Sequence, residues 1–295
     1  MAPDPEASPE AGSEANRFAG QRFPLPEDGG PRDVADLLAL LELEEIDRDL
    51  FRAQNPPQTF LPHLYGGQVA AQAARAASLT VPEDRFVHSL HGYFLRPGRA
   101  DHPTILHVDR DRDGRSFSAR HVNAIQNGEV ILSLLVSFQV DREGREFQDV
   151  ELPSPAPPAD EIPEEPLGGH NTMFDLRPVG RNERTGGFPG LSHRFWARTR
   201  GALPDDRLLH ACALTYLSDM GTGFMKVPSD EPMGGPSLDH SVWFHRQVRM
   251  DEWVLVDLEP VVASGARAFY TGSVYSPDGK LVASLTQEHL MIPRT

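Results

Sequence analysis

The chain carries one β-rich pattern twice. Ser89-Leu90-His91-Gly92-Tyr93-Phe94-Leu95-Arg96 leads into a stretch that turns at Gln126-Asn127-Gly128-Glu129 and continues as Val130-Ile131-Leu132-Ser133. Asp239-His240-Ser241-Val242-Trp243-Phe244-His245-Arg246 leads into a second stretch that turns at Pro277-Asp278-Gly279-Lys280 and continues as Leu281-Val282-Ala283-Ser284. The aromatic-x-Arg ends, Arg96 and Arg246, lie 150 positions apart, and the turn glycines, Gly128 and Gly279, lie 151 apart. Such spacing constrains the fold to two related halves of one architecture. Function is expected where the halves differ.

Each half reads as a helix facing a run of antiparallel strands, an α+β layer arrangement. Residues 33–50 alternate into a short amphipathic helix, and Gln58-Thr59-Phe60 precedes the helix opening at Tyr65-Gly66-Gly67-Gln68. That helix is Ala-rich and runs to about residue 78; its small residues are expected to let a sheet approach closely. Strands follow near 86–96, 103–110, 115–126 and 129–140, with hairpin signals at Asp113-Gly114 and Asn127-Gly128. The second half predicts a strand near 191–200, a helix from Asp206 to about Asp219, and strands near 237–248, 252–262, 266–276 and 280–292. Residues 1–31, rich in Pro, Glu, Ala and Gly, are expected to be disordered. Residues 141–190 are acidic and Pro/Gly-rich, and Pro153-Ser154-Pro155-Ala156-Pro157-Pro158 cannot join a sheet centre. The domain plan is therefore a 1–31 tail, a 32–140 half, a 141–190 linker and a 191–295 half.

The charge balance narrows the partners. The net charge of −15 is concentrated in residues 1–49, with 13 acids and 4 bases, and in 141–165, with 9 and 2. Elsewhere 21 acids meet 22 bases, so no basic stripe suits a nucleic acid. No apolar run approaches the ~20 residues of a membrane span. The lone Cys212 excludes an intramolecular disulfide and a multi-cysteine zinc site. With an N-terminus lacking the basic and apolar regions of a signal peptide, a cytoplasmic location is expected.

Three polar residues in the second half stand out. Asp219 ends the apolar run 208–217, with Gly221 as a plausible cap; a carboxylate at a helix C-terminus opposes the macrodipole, so local stability does not ask for it. The plain alternative is an exposed Asp in a helix-ending turn. Gln287 falls on the same strand face as Leu281, Ala283, Leu285 and Met291, where an unpartnered amide would cost about 1–3 kcal/mol. Its counterpart 151 residues earlier is Val136. One half is polar where the other is apolar, which suggests one working site and one degenerate copy. Ser237, at the start of the strand holding Trp243, offers a hydroxyl, or is simply a strand-initiating Ser.

Other features exclude more than they suggest. His88, His91, His240 and His245 lack metal spacing and read as packed or hydrogen-bonding, and Cys212 reads as an inert core thiol. Gly66, Gly67 and Gln68 open a helix, where backbone N–H groups could hold an oxyanion or phosphate; close helix packing is the equal alternative. Gly221-Thr222-Gly223 lacks the third glycine of a nucleotide fingerprint. No Gly-x-Ser-x-Gly elbow is present.

Taken together, the motifs resemble those of type II acyl-CoA thioesterases, which are built as double hotdog folds. The matching segments are Leu50-Phe51-Arg52, Tyr65-Gly66-Gly67-Gln68-Val69, Val87-His88-Ser89, Tyr93-Phe94-Leu95-Arg96-Pro97-Gly98 and Asp113-Gly114-Arg115-Ser116-Phe117-Ser118-Ala119-Arg120. In the second half they are Tyr216-Leu217-Ser218-Asp219, 239–246 and Val282-Ala283-Ser284-Leu285-Thr286-Gln287-Glu288. The resemblance implies a long helix wrapped by a curved antiparallel sheet in each half. It implies a catalytic set of Asp219, Gln287 and Ser237, with Ser where relatives commonly carry Thr, hence without the β-branch that restrains χ1. It implies an acyl-CoA substrate, water attack with no metal and no cofactor, and a homo-oligomer. Two rivals are a hotdog enoyl-thioester hydratase or dehydratase, whose Asp-x-Asn-x-x-His motif is missing, and a non-catalytic acyl-CoA-binding protein.

Overall fold

The computed structural model describes residues 33–55, 63–154, 156–164, 172–180, 193–220 and 233–293. The expected tail, the Gln58-Thr59-Phe60 segment and Gly221 lie outside them. The first half comprises α1 (Val34–Leu41), β1 (Leu43–Asp47), β2 (Leu50–Ala53), α2 (Gly66–Ser78), β3 (Arg85–Phe94), β4 (Thr104–Asp113), β5 (Phe117–Gln126) and β6 (Glu129–Val140). The second comprises β7 (Phe174–Pro178), β8 (Arg194–Thr199), α3 (Arg207–Ser218), β9 (Met233–Gly234), β10 (Asp239–Phe244), β11 (Val254–Ser264), β12 (Arg267–Tyr275), β13 (Leu281–Leu290) and β14 (Ile292–Pro293). β9 and β14 pair with each other in a small separate sheet.

The other twelve strands form a single antiparallel sheet in the order β1-β2-β4-β5-β6-β3-β10-β13-β12-β11-β8-β7. The order is a palindrome about the β3–β10 seam: β3 answers β10, β6 answers β13, β5 answers β12, and so outward to β1 and β7. The seam is a regular antiparallel ladder from Asp239↔Tyr93 to Trp243↔Ser89. The repeat seen in the sequence is therefore a repeat of strands about one central pair.

One expected helix is shorter than its pattern. Asp33 caps α1, its Oδ1 accepting from the N–H of Ala35 at 2.8 Å, and Leu37, Leu40 and Leu41 are buried. The helix stops there because Glu42 is extended and residues 43–47 pair with β2. Asp49, at a φ of 59°, turns the chain, and Arg110 of β4 clamps its carboxylate at 2.7 Å. These long-range contacts override the helical spacing that Leu43 and Ile46 continue.

The two long helices run antiparallel in contact. Tyr65, at the start of α2, donates its hydroxyl to the Tyr216 carbonyl near the end of α3, at 2.9 Å. At the far end Arg75 of α2 meets Asp206 at 3.6 Å. A Cβ at Gly67 would stand 2.3 Å from the Tyr216 carbonyl oxygen, so this close approach requires glycine. The small residues of α2 thus admit the partner helix as well as the sheet. Around the pair, Leu90, Leu132, Val136 and Phe138 from one half and Val242, Val256, Val274 and Leu285 from the other join one apolar core.

The acidic Pro-rich stretch between the halves does more than span a gap. The Gln148 side-chain carbonyl accepts from the Leu281 N–H at 2.8 Å, and Trp196 donates to the Pro157 carbonyl at 2.8 Å. Ala159 packs with Trp196, Leu255 and Tyr275 in a second small cluster, and the same stretch contributes the edge strand β7. A proline-rich segment that cannot enter a sheet centre can still cover a sheet face.

Candidate active site

Four element ends converge on Asp219. It is the C-cap residue of α3, with φ −86° and ψ 24°. The start of α2 faces it: the Gly67 N–H bonds to its carboxylate, and a Cβ at Gly66 would lie 2.4 Å from its Oδ2. Phe94, the last residue of β3, fills the other side of the Gly66 gap, at 2.9 Å from the same Cβ position. The Phe94 N–H donates to the Leu238 carbonyl at 3.0 Å, which places the lead-in to β10 beside it. Asp219 is 5 % exposed, and so is not the exposed turn residue of the plain alternative.

The other two members of the sequence-derived set are there. Ser237 donates its hydroxyl to Asp219 Oδ1 at 2.9 Å. Gln287, fully buried on β13, donates from Nε2 to the same oxygen. Ser237 is held by a β-bridge to His289, two residues beyond Gln287 on that strand. Both donors converge on Oδ1, while Oδ2 lies toward the side-chain-free Gly66.

The electrostatics follow from this packing. Burial pushes the Asp219 carboxyl up to about 6 from 3.8, and the donors Gln287, Ser237 and Gly67 oppose that rise. The last turn of α3 repels the carboxylate, but the positive end of α2 receives it, so two helix ends act on one group. Desolvation and the nearby Asp219 charge raise the Tyr65 phenol well above its ordinary range, so it stays a neutral donor.

The helix-opening triplet divides. Gly66 and Gly67 touch the carboxylate. The Gln68 side chain points elsewhere: its Nε2 donates to Asn55 Oδ1 at 2.9 Å, and Asn55 in turn donates to Thr104 and the His102 carbonyl. Gln68 is buried but bonds into the first half's own network.

Two sets of contacts were not anticipated from the sequence. Tyr270, fully buried on β12, lies directly opposite Gln287 and donates its hydroxyl to Gln287 Oε1. Ser218, next to Asp219, donates to the Thr215 carbonyl at 3.0 Å and meets His240 Nε2 at 2.7 Å. Burial lowers the His240 ring to about 3, so it is neutral, and the bond pattern assigns its proton to Nε2. The β12–β13 register, which shifts between Val274 and Tyr275, is what sets Tyr270 against Gln287.

The matching place in the first half carries different residues. Arg120 faces Val136 across β5 and β6 as Tyr270 faces Gln287. Arg120 is fully buried and spends its three nitrogens on Thr80, the carbonyls of Arg112 and Ala119, and Asp113. Leu79 caps α2 where Asp219 caps α3.

Remaining candidates are inert or lie elsewhere. Burial holds the Cys212 thiol protonated, pushed up to about 12. Among the described residues, His193, Asp257 and Glu259 place ligand atoms within 4.8 Å of one another. Arg194 already clamps Asp257 at 2.8 Å. No helix among the described residues is long and apolar enough to cross a membrane.

Known proteins share this plan. A family model described as the acyl-CoA thioesterase N-terminal domain matches residues 55–139, and one described as the acyl-CoA thioesterase C-terminal domain matches 151–291. Acyl-CoA thioesterase 2 of Haemophilus influenzae is 35 % identical over 87 % of this chain and 96 % of its own. Mouse acyl-coenzyme A thioesterase 8 is 34 % identical over 85 % and 87 %. The crystal structure of acyl-CoA thioesterase II TesB2 from Mycobacterium marinum superposes with a TM-score of 0.74 at 39 % identity, covering 87 % of this chain and 98 % of that one. A hot dog fold protein from Alicyclobacillus acidocaldarius superposes at 0.72 with 21 % identity, a likeness of fold alone. With both family domains matched in order and relatives aligned almost end to end, the chain belongs to the acyl-CoA thioesterases and has the hot dog fold.

Proposed function

We propose that this protein hydrolyses acyl-CoA thioesters to a free acid and CoA, with Asp219 as general base. The observation that carries the reading is a buried carboxylate whose proton affinity has risen to about 6, close to working pH. The carboxylate takes a proton from water, and the hydroxide attacks the thioester carbonyl carbon. The tetrahedral oxyanion collapses, the C–S bond breaks, and the CoA thiolate takes the proton from Asp219. Gln287 and Ser237 hold Oδ1 and leave Oδ2 to meet water beside Gly66, a matter of orientation more than of acidity. The Gly67 N–H is occupied by Asp219, so the oxyanion donor in this reading is the Gly66 N–H, in the first turn where helices have no internal acceptor. Gln68 supports substrate binding indirectly, through the loop it anchors.

The same reading includes two tandem hotdog repeats, residues 32–140 and 191–295, joined by 141–190, which lends the second repeat its edge strand β7, and assembled as a homo-oligomer. The palindromic strand order supports the tandem repeat. Thiol release from saturated acyl-CoAs of increasing length, followed with a chromogenic thiol reagent, tests the function. Wild type is expected to turn over and Asp219→Ala to lose about 10²–10⁴-fold in kcat, the usual range for a general base. Absence of release by wild type at every length would favour the binding-protein reading. Equal release by both would leave a thioesterase but remove Asp219 from its mechanism.

A further inference from the structure

We infer that Tyr270 is a positioning residue for the reaction, acting through Gln287 on Asp219; the inference rests on the general-base reading above. A primary amide is nearly symmetric in shape, and a half-turn exchanges its donor and acceptor ends. If Gln287 turned over, its carbonyl oxygen would face the carboxylate, two acceptors would meet without a proton, and Asp219 would lose a donor. Something must hold the amide in one sense. Within the described contacts that is the Tyr270 hydroxyl, which donates to Oε1 and so leaves Nε2 for Asp219 Oδ1.

The placement of Tyr270 fits that task. It sits directly across from Gln287 on the neighbouring strand, fully buried, where the alternation of β12 puts apolar residues such as Ala268 and Val274. An unbonded phenol there would be costly, and the amide oxygen supplies its acceptor. Its ring also stacks on His289, with centroids 5.7 Å apart and planes 20° apart. His289 is the residue whose backbone bridges to Ser237. One side chain thus stands behind both side-chain donors to Asp219, by its hydroxyl on one and by its ring on the residue that seats the other. The first half lacks this arrangement, since its matching pair is Arg120 and Val136.

Tyr270→Phe removes one oxygen and keeps the ring stack, so it is the primary test. The expected result is a kcat about 10-fold or more lower with KM changed less than about 3-fold, the signature of an interaction that counts in the transition state. The Gln287 donor lowers the Asp219 carboxyl, so loosening it raises that carboxyl further. The acid limb of the kcat–pH profile therefore moves to higher pH. In a Gln287→Met background, where no amide needs orienting, adding Tyr270→Phe should change kcat less than about 2-fold. That arm also serves if the single variant folds poorly, since Met leaves no acceptor for the phenol to satisfy. Wild-type kcat with an unmoved acid limb in Tyr270→Phe would overturn the inference, as would an undiminished Tyr270→Phe effect in the Gln287→Met background. Asp219→Asn assayed alongside separates the two levels: full activity there would sink the general-base reading itself, whatever Tyr270→Phe does.

Discussion

Asp219 is placed where its own helix disfavours it. The C-terminus of α3 repels negative charge and burial penalises it further, yet three donors, one of them the Gly67 N–H at the start of α2, hold it. The result is a carboxyl raised from 3.8 to about 6. A raised carboxyl binds its proton more tightly in the folded state than in the unfolded chain, so its ionisation costs stability. That cost is absent below about pH 4 and is fully felt above about pH 6, where it amounts to roughly 3 kcal/mol at about 1.36 kcal/mol per pH unit. Asp219→Asn, which keeps an acceptor for Ser237 and Gln287, should therefore be at least as stable as wild type at pH 8, with the difference vanishing near pH 4. Urea denaturation at the two pH values measures this. Activity runs the opposite way: wild-type kcat should rise through about pH 6 as the base ionises. Asp219 could be singled out from the sequence because a carboxylate ending an apolar helical run is out of place. Tyr270 could not, because an aromatic on a strand has an ordinary reason to be there, and only the cross-strand register makes it a partner of Gln287.

At the scale of elements, the α2–α3 contact is what brings the halves of the site together. Gly67 serves it twice, by its missing side chain against the Tyr216 carbonyl and by its N–H on Asp219. Gly67→Ala would gain about 1 kcal/mol of helix propensity. It would lose more, because a Cβ 2.3 Å from a backbone oxygen forces the helices apart. Overpacking of this kind costs about 1–3 kcal/mol. We expect a lower denaturation midpoint and reduced kcat together, with the second effect larger. Turns were the easiest elements to read: Asn127 and Gly128, at φ 51° and 80°, form the two-residue hairpin that an Asn-Gly pair favours. Helix α1 was the hardest, because residues 43–47 carry a helical pattern and strand pairing claims them.

Across the whole molecule, the two halves share one twelve-stranded sheet and one main core, and differ at the positions that match the Asp219 cluster. The asymmetry rests on matched positions: Gln287 against Val136, Tyr270 against Arg120, Asp219 against Leu79. Val136→Gln tests it. The new amide would lie fully buried beside an Arg120 whose nitrogens are already committed, so it should cost about 1–3 kcal/mol. Because Val136 bonds to none of Asp219, Gln287 and Ser237 among the described contacts, kcat should stay at the wild-type value. A denaturation curve and a thiol-release assay on the same preparation decide this.

By itself the sequence determined the order of the two long helices and of strands β3–β6, β8 and β10–β13, and it marked Asp219, Gln287 and Ser237 as candidates. Those properties are written in local chemistry: turn dipeptides, alternation, and polar residues where apolar ones are due. The tertiary structure decided which groups those residues meet. It took Gly66 and Gly67 from one half to the carboxylate of the other, turned Gln68 away, ended α1 early, and laid a Pro-rich segment over a sheet face. Each of these depends on contacts between residues far apart in the chain, and the spacing along a sequence does not record which distant surfaces will pack.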